Sequence, residues 1–194
     1  MNKIKQIFGL FFVCSLSGLL LGCGGDGVEN LPCFTPTSEC ESDGNSGGYN
    51  GSYGSLYYEG RTYKTVVIGR QTWMAENLNY NASGSKCYNN SESNCTTYGR
   101  LYNWETAKAV CPYGWHLPTQ ADWEVMTAYI GGSSIEGRKL KARSGWNNNG
   151  NGTDEYGFSA LPGGRGSSGG SFNDVGDSGH WWSASESEDD SDGA

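Results

Sequence analysis

Tyr98-Gly99-Arg100-Leu101-Tyr102-Asn103-Trp104-Glu105-Thr106-Ala107-Lys108-Ala109-Val110-Cys111-Pro112-Tyr113-Gly114-Trp115-His116-Leu117-Pro118-Thr119 is the stretch that decides the fold. Asn103 offers a short side-chain acceptor and predicts the start of a helix over residues 104–111. Trp104, Ala107 and Cys111 then fall on one face. Pro112 ends that helix because it has no amide hydrogen. After the Gly114–Pro118 turn, Thr119 is placed to cap a second helix, with Asp122 standing where a capping box carries its acid. Trp123, Met126 and Ile130 form the buried stripe of this helix, and Gly131-Gly132 stops it. A short third helix is expected over residues 135–142.

Upstream, Tyr63-Lys64-Thr65-Val66-Val67-Ile68 and Gln71-Thr72-Trp73-Met74 are rich in β-branched and aromatic residues. Gly69-Arg70 between them suits a type II′ hairpin turn. Residues 77–94 are polar and read as a loop. From Ser144 onward, Gly, Asn and aromatic residues predict irregular loops and short strands. Two main helices against small antiparallel sheets make an α+β, loop-rich fold the expectation.

The N-terminus speaks about address. Lys3 and Lys5 precede an apolar run over residues 7–21 that is too short for a stable membrane span. The run ends Leu20-Leu21-Gly22-Cys23, which resembles the lipobox of bacterial lipoproteins. That resemblance implies removal of residues 1–22 and acylation of Cys23, so the membrane is a partner through a lipid anchor. Gly24 rather than Asp after Cys23 points to the outer membrane and a surface-exposed cell-envelope protein. Residues 23–55 are Gly-, Ser- and Asn-rich and are expected to be a flexible linker. The folded domain is expected over residues 56–194.

Charge narrows the function classes. The chain has 13 Lys and Arg against 21 Asp and Glu, a net charge of −8. The acids concentrate in residues 24–50 and 183–194, while the stretch from Glu59 to Trp182 is balanced. No basic stripe is present for a phosphate backbone, so nucleic-acid binding is excluded.

Arg61-Thr62-Tyr63-Lys64-Thr65-Val66-Val67-Ile68-Gly69-Arg70-Gln71-Thr72-Trp73-Met74-Ala75-Glu76-Asn77-Leu78-Asn79-Tyr80 resembles the opening of the Fibrobacter succinogenes major paralogous domain. The 98–119 block resembles its centre. Asp122-Trp123-Glu124, Leu140-Lys141, Gly145-Trp146, the stretch from Asp154 to Gly164, and Trp181-Trp182-Ser183 resemble its later blocks in order. The resemblance implies a C-type lectin-like fold, related to formylglycine-generating enzymes, and a surface role in adhesion or glycan binding. Members continue past the Trp-Ser segment to a terminal Val-Arg-Cys, so the domain is expected to be incomplete at its C-terminus.

Asn147-x-Asn149-x-Asn151-Gly152-Thr153-Asp154-Glu155 echoes a calcium loop, with Asn149, Asn151, Asp154 and Glu155 as candidate ligands. Phe158 stands where a closing Glu belongs, and an Asn/Gly turn is the simpler reading. The two histidines, His116 and His180, have no zinc spacing. Cys111 with His116 makes a poor nucleophile–base pair, because a helix C-terminus disfavours a thiolate. No Cys follows Cys111, so the paired cysteines of formylglycine-generating enzymes have no counterpart. No catalytic residue is assigned.

The expectation is a non-catalytic binding module that takes a polysaccharide or a surface protein, with no obligatory cofactor. A structural or protein-interaction module is the alternative, and an enzyme of the formylglycine-generating type a remoter one. The aromatic content, with seven Trp and 12 Tyr, suggests mostly core packing. Trp146, Tyr156, Arg165, Trp181 and Trp182 in the loop-rich half are the candidates for ligand contact. One of the adjacent pair Trp181-Trp182 is expected to face outward.

The cysteines close the reading. Cys33 with Cys40 and Cys87 with Cys95 are near neighbours across flexible residues, so each pair closes at low entropic cost. The family's terminal Cys would be the partner of Cys111. Without it, Cys111 is expected to be an unpaired thiol.

Overall fold

The computed structural model describes residues 15–17, 51–132 and 135–186. The lipidation at Cys23, the Cys33–Cys40 pair and nearly all of the expected leader and linker lie outside the described residues. No helix among the described residues is long and apolar enough to cross a membrane.

The fold is α+β. Strands β2 (Gly54–Tyr58), β3 (Arg61–Ile68) and β4 (Gln71–Met74) form an antiparallel meander, and β1 (Ser15–Ser17) pairs with the outer edge of β4. Two small antiparallel ribbons follow: β5 (Ser85–Lys86) with β6 (Leu101–Tyr102), and β7 (Gly163–Gly166) with β8 (Phe172–Val175). The helices are α1 (Glu92–Tyr98), α2 (Trp104–Ala109), α3 (Gln120–Tyr129) and α4 (Glu136–Leu140). α2, α3 and α4 stand where the sequence predicts them, though α2 and α4 are shorter. α1 begins at the end of the stretch read as loop and runs past it.

Local chemistry explains the predicted elements. The Asn103 side chain accepts from the Thr106 amide at 2.8 Å and caps α2. Thr119 and Asp122 form a reciprocal capping box on α3, with the Asp122 carboxylate accepting from the Thr119 amide at 2.9 Å. Gly69 sits at φ +63° while Arg70 keeps an ordinary φ, as a type II′ turn requires. A Cβ at Gly69 would also meet the Tyr129 ring at 3.1 Å, so the turn is packed against α3.

The turn between β2 and β3 was not foreseen. Glu59 and Gly60 both have positive φ, which makes a second hairpin and carries the sheet back to Gly54, inside the expected linker. Along β3 the neighbours Thr65 and Val66 are both buried. Adjacent strand residues point to opposite faces, so both faces of the sheet are covered at that level.

The core sits between the sheet and α3. Trp73, wholly buried, lies 4.8 Å from the Trp123 ring and 6.0 Å from Phe158. Val66, Ile68, Met126 and Ile130 fill the space around it. The segment after β8 is stitched across this core by indole N–H groups. Trp182 donates to the Tyr102 carbonyl at 2.8 Å, and Trp104 donates to the Ser183 carbonyl at 2.8 Å. The Ala184 amide reaches the Pro118 carbonyl at 2.8 Å.

Cys87 and Cys95 form a disulfide, which ties the turn before α1 to its middle. Cys111 is also disulfide-bonded, with its partner outside the described residues. The expected unpaired thiol at Cys111 is therefore corrected. The expectation took the family's terminal Cys as the natural partner, but loop-closure entropy grows only slowly with length, so a distant cysteine elsewhere in the chain competes well.

Candidate functional site

An open cleft of about 260 Å³ lies where the sheet meets α1 and the loop before β7. Strand β3 supplies Arg61 and Lys64, and the turn after β4 supplies Glu76 and Asn77. The C-terminal end of α1 supplies Thr96, Thr97 and Tyr98, and Phe158 to Leu161 close the far side. Tyr53, just before β2, stands at the rim.

Hydrogen bonds hold the polar groups of this cleft in place. Arg61 pairs with Glu76 at 3.1 Å, and the other Glu76 oxygen accepts from the Lys64 amide at 3.3 Å. The Lys64 ammonium lies 5.3 Å from the Tyr53 ring centre, a cation–π distance. Asn77 is a joint. Its amide donates to the Tyr98 carbonyl at 2.8 Å, while its oxygen accepts the Trp181 indole N–H at 3.0 Å. Gly99, at φ +81°, lets α1 end against Asn77; a Cβ there would stand 2.7 Å from the Asn77 Cβ. The result is a preformed polar recess with an aromatic rim.

The sequence candidates are placed differently. Trp146 is buried, with its indole N–H donating to the Ala160 carbonyl at 3.1 Å, so it packs the core in this conformation. Tyr156 is half-buried against Tyr129, with ring centres 6.0 Å apart. Trp181 and Trp182 are both half-buried and both spend their N–H groups internally, so neither is the outward-facing member of the pair. Trp181 alone touches the cleft, by orienting Asn77 from behind. The cleft residues themselves carry no sequence signal, because they are single polar side chains brought together from distant elements.

Arg165 is held by Asp174 at 2.8 Å, beside half-buried His180. Burial and then the Arg165 charge lower the His180 pKa, against the opposing pull of Asp174. Its neutral form is therefore favoured in the folded protein, while the unfolded imidazole titrates near 6.5. The unfolded state binds more protons between those two values, so stability falls as pH drops through this window. The expected result is a urea midpoint that declines below about pH 6.5, with a shallower decline in His180→Gln. An unchanged slope in that variant would refute this account.

Of the candidate calcium ligands, Asp154 and Asn151 are engaged within their own loop. Both Asp154 oxygens accept from Ser159, at 2.8 Å from the amide and 2.7 Å from the hydroxyl. The Asn151 oxygen accepts from the Trp146 amide at 3.0 Å, and Glu155 faces Lys139 at 3.6 Å. Asn149 contributes a positive φ of 58° to the turn. His116 bonds to Asp122 at 3.1 Å, beside the α3 cap.

A capped two-helix layer over small sheets, carrying a polar cleft, defines a small α+β domain with a built recess. The chain belongs to the Fibrobacter succinogenes major domain family, whose model matches residues 66–193. No curated protein and no solved structure matches it. Tyr53, Arg61 and Lys64 precede the matched span, so the rim and the cationic wall of the cleft belong to the N-terminal hairpin.

Proposed function

We propose that this chain is a non-catalytic, surface-anchored binding module of the cell envelope with a C-type lectin-like fold, and that its ligand is a glycan. The cleft carries the reading. A tyrosine rim, a fixed cation–carboxylate pair and side-chain amide and hydroxyl groups around an open recess suit a sugar, which offers hydroxyls at its edge and C–H groups on its face. The capped α2 and α3 against small sheets support the lectin-like assignment. The Leu20–Cys23 junction supports the outer-membrane lipid anchor. The three cysteines among the described residues are all in disulfides, which supports a module without thiol chemistry.

The reading requires no metal, because the loop with calcium-like spacing is closed by its own hydrogen bonds. A glycan array probed with the full chain tests it, with and without a chelator. Binding is expected to survive the chelator. Lys64→Ala and Tyr53→Ala are each expected to weaken it about tenfold, the loss of roughly 1.4 kcal/mol. Failure to bind any glycan, or binding indifferent to both substitutions, would sink the proposal.

A further inference from the structure

The outer edge of β4 has a further use. Ser15–Ser17 pairs with it antiparallel, Ser15 opposite Trp73, Leu16 opposite Thr72 and Ser17 opposite Gln71. Those residues precede Cys23, so the leader reading removes them and leaves β4 as an edge strand. The two-residue Gly69-Arg70 turn makes Ile68 and Gln71 the hydrogen-bonded pair that closes the hairpin. The alternate residue, Thr72, therefore turns its N–H and C=O outward, ready for another strand.

The side chains beside Thr72 say which strand. Gln71 and Trp73 lie on one face, both are buried, and each keeps a polar atom without a hydrogen-bond partner among the described residues: Gln71 Oε1, an acceptor, and Trp73 Nε1, a donor. Leaving such atoms unpaired is costly, so their complement is worth seeking. In an antiparallel pair centred on Thr72, a second β4 places its own Trp73 opposite Gln71 and its own Gln71 opposite Trp73. Directly opposed residues share a face and stand about 4.5–5.5 Å apart at Cβ. The residue that carries the donor in each copy is then paired with the residue that carries the acceptor in the other, twice, as a two-fold interface demands. Other registers lose this match. A shift by one residue sets Gln71 against the opposite face of its partner.

We propose that the mature protein self-associates through β4, two copies joining their sheets edge to edge about Thr72, and that the Ser15–Ser17 strand blocks this edge in the unprocessed chain. The proposal rests on the leader reading. A four-residue strand makes a small contact, but lipid anchoring confines the copies to one surface and raises their effective concentration.

Cross-linking tests it. Paired residues of this kind have Cα atoms about 5.5 Å apart, within disulfide reach. Thr72→Cys in the processed protein, on its own membrane, is expected to give a disulfide-linked dimer at least about tenfold above Val67→Cys, a contrast that confinement to one surface makes measurable. Val67 is 65% exposed but lies on β3, away from the edge. Thr72→Pro removes only the outward N–H and leaves the β3 pairing. It is expected to abolish self-association, read by chemical cross-linking, while the melting temperature of the dispersed protein is retained.

Mass determination shows separately whether residues 1–22 are gone. If they remain, the leader reading fails, and Leu16→Pro should then open the edge and bring the Thr72→Cys dimer with it. The full chain made without membranes, leader attached, should give little dimer. Equal cross-linking at residues 72 and 67, no dimer from a chain with an open edge, or full dimer from the leader-bearing chain would overturn the proposal.

Discussion

Trp73→Ala is expected to destabilise the domain by about 3–5 kcal/mol, measured as a loss of urea unfolding free energy. Trp73 is wholly buried and touches both Trp123 on α3 and Phe158 beside the cleft. Its removal deletes a large apolar surface and leaves a cavity between layers that cannot collapse freely. A domain of this size has about 5–15 kcal/mol in hand, so the variant should sit near the threshold of folding. Trp73→Phe provides the contrast. The indole N–H has no partner within the described residues, so its loss breaks no hydrogen bond inside one copy. Most of the ring contact survives, and the cost should be less than about half that of alanine. An alanine variant within about 1 kcal/mol of the wild type, or a phenylalanine variant equally damaged, would show that Trp73 does not bridge the layers in this way.

The sequence was legible where one local rule acted alone. Asn103 and Thr119 are caps whose geometry is complete within a single turn, and the Trp123, Met126 and Ile130 stripe needs only helical spacing. Gly69-Arg70 specified its hairpin for the same reason. Helix α1 was hidden because Glu92 to Tyr98 has no apolar stripe; only Cys95 is buried, and a disulfide stands in for the missing hydrophobic face. The Glu59-Gly60 turn was hidden because Glu is an uncommon residue at positive φ, where Asn or Asp is the usual signal.

The aromatic candidates show a different limit. A Trp that stacks on a ligand and a Trp that spends its N–H on a distant carbonyl look identical in composition. Trp104, Trp123, Trp146, Trp181 and Trp182 all bond internally. The cleft had no motif to betray it, since Lys64, Glu76 and Tyr98 meet only once the hairpin and α1 are folded together.

Cys111→Ser is expected to cost about 4 kcal/mol, on the chain-entropy account of a loop of roughly 70 residues or more. Cys87 and Cys95 bond to each other, and Cys111 is bridged. Every other cysteine of the chain, at positions 14, 23, 33 and 40, precedes residue 51. Any bridge from Cys111 therefore closes a loop that spans the whole meander and the β5–β6 ribbon. The Cys87–Cys95 loop is short, and opening it by Cys95→Ser should cost less, about 2–3 kcal/mol. Mass mapping of the alkylated, oxidised protein should recover the Cys111 peptide joined to one of those four cysteines. If the lipobox reading holds, Cys14 has left and Cys23 carries lipid, so the partner is Cys33 or Cys40. The end of α2 would then be fastened to the anchor segment, and the lipid tether would stop being free over its full length. A Cys111 peptide recovered alkylated, or a Cys111→Ser variant no less stable than Cys95→Ser, would remove both the bridge and the fastening it implies.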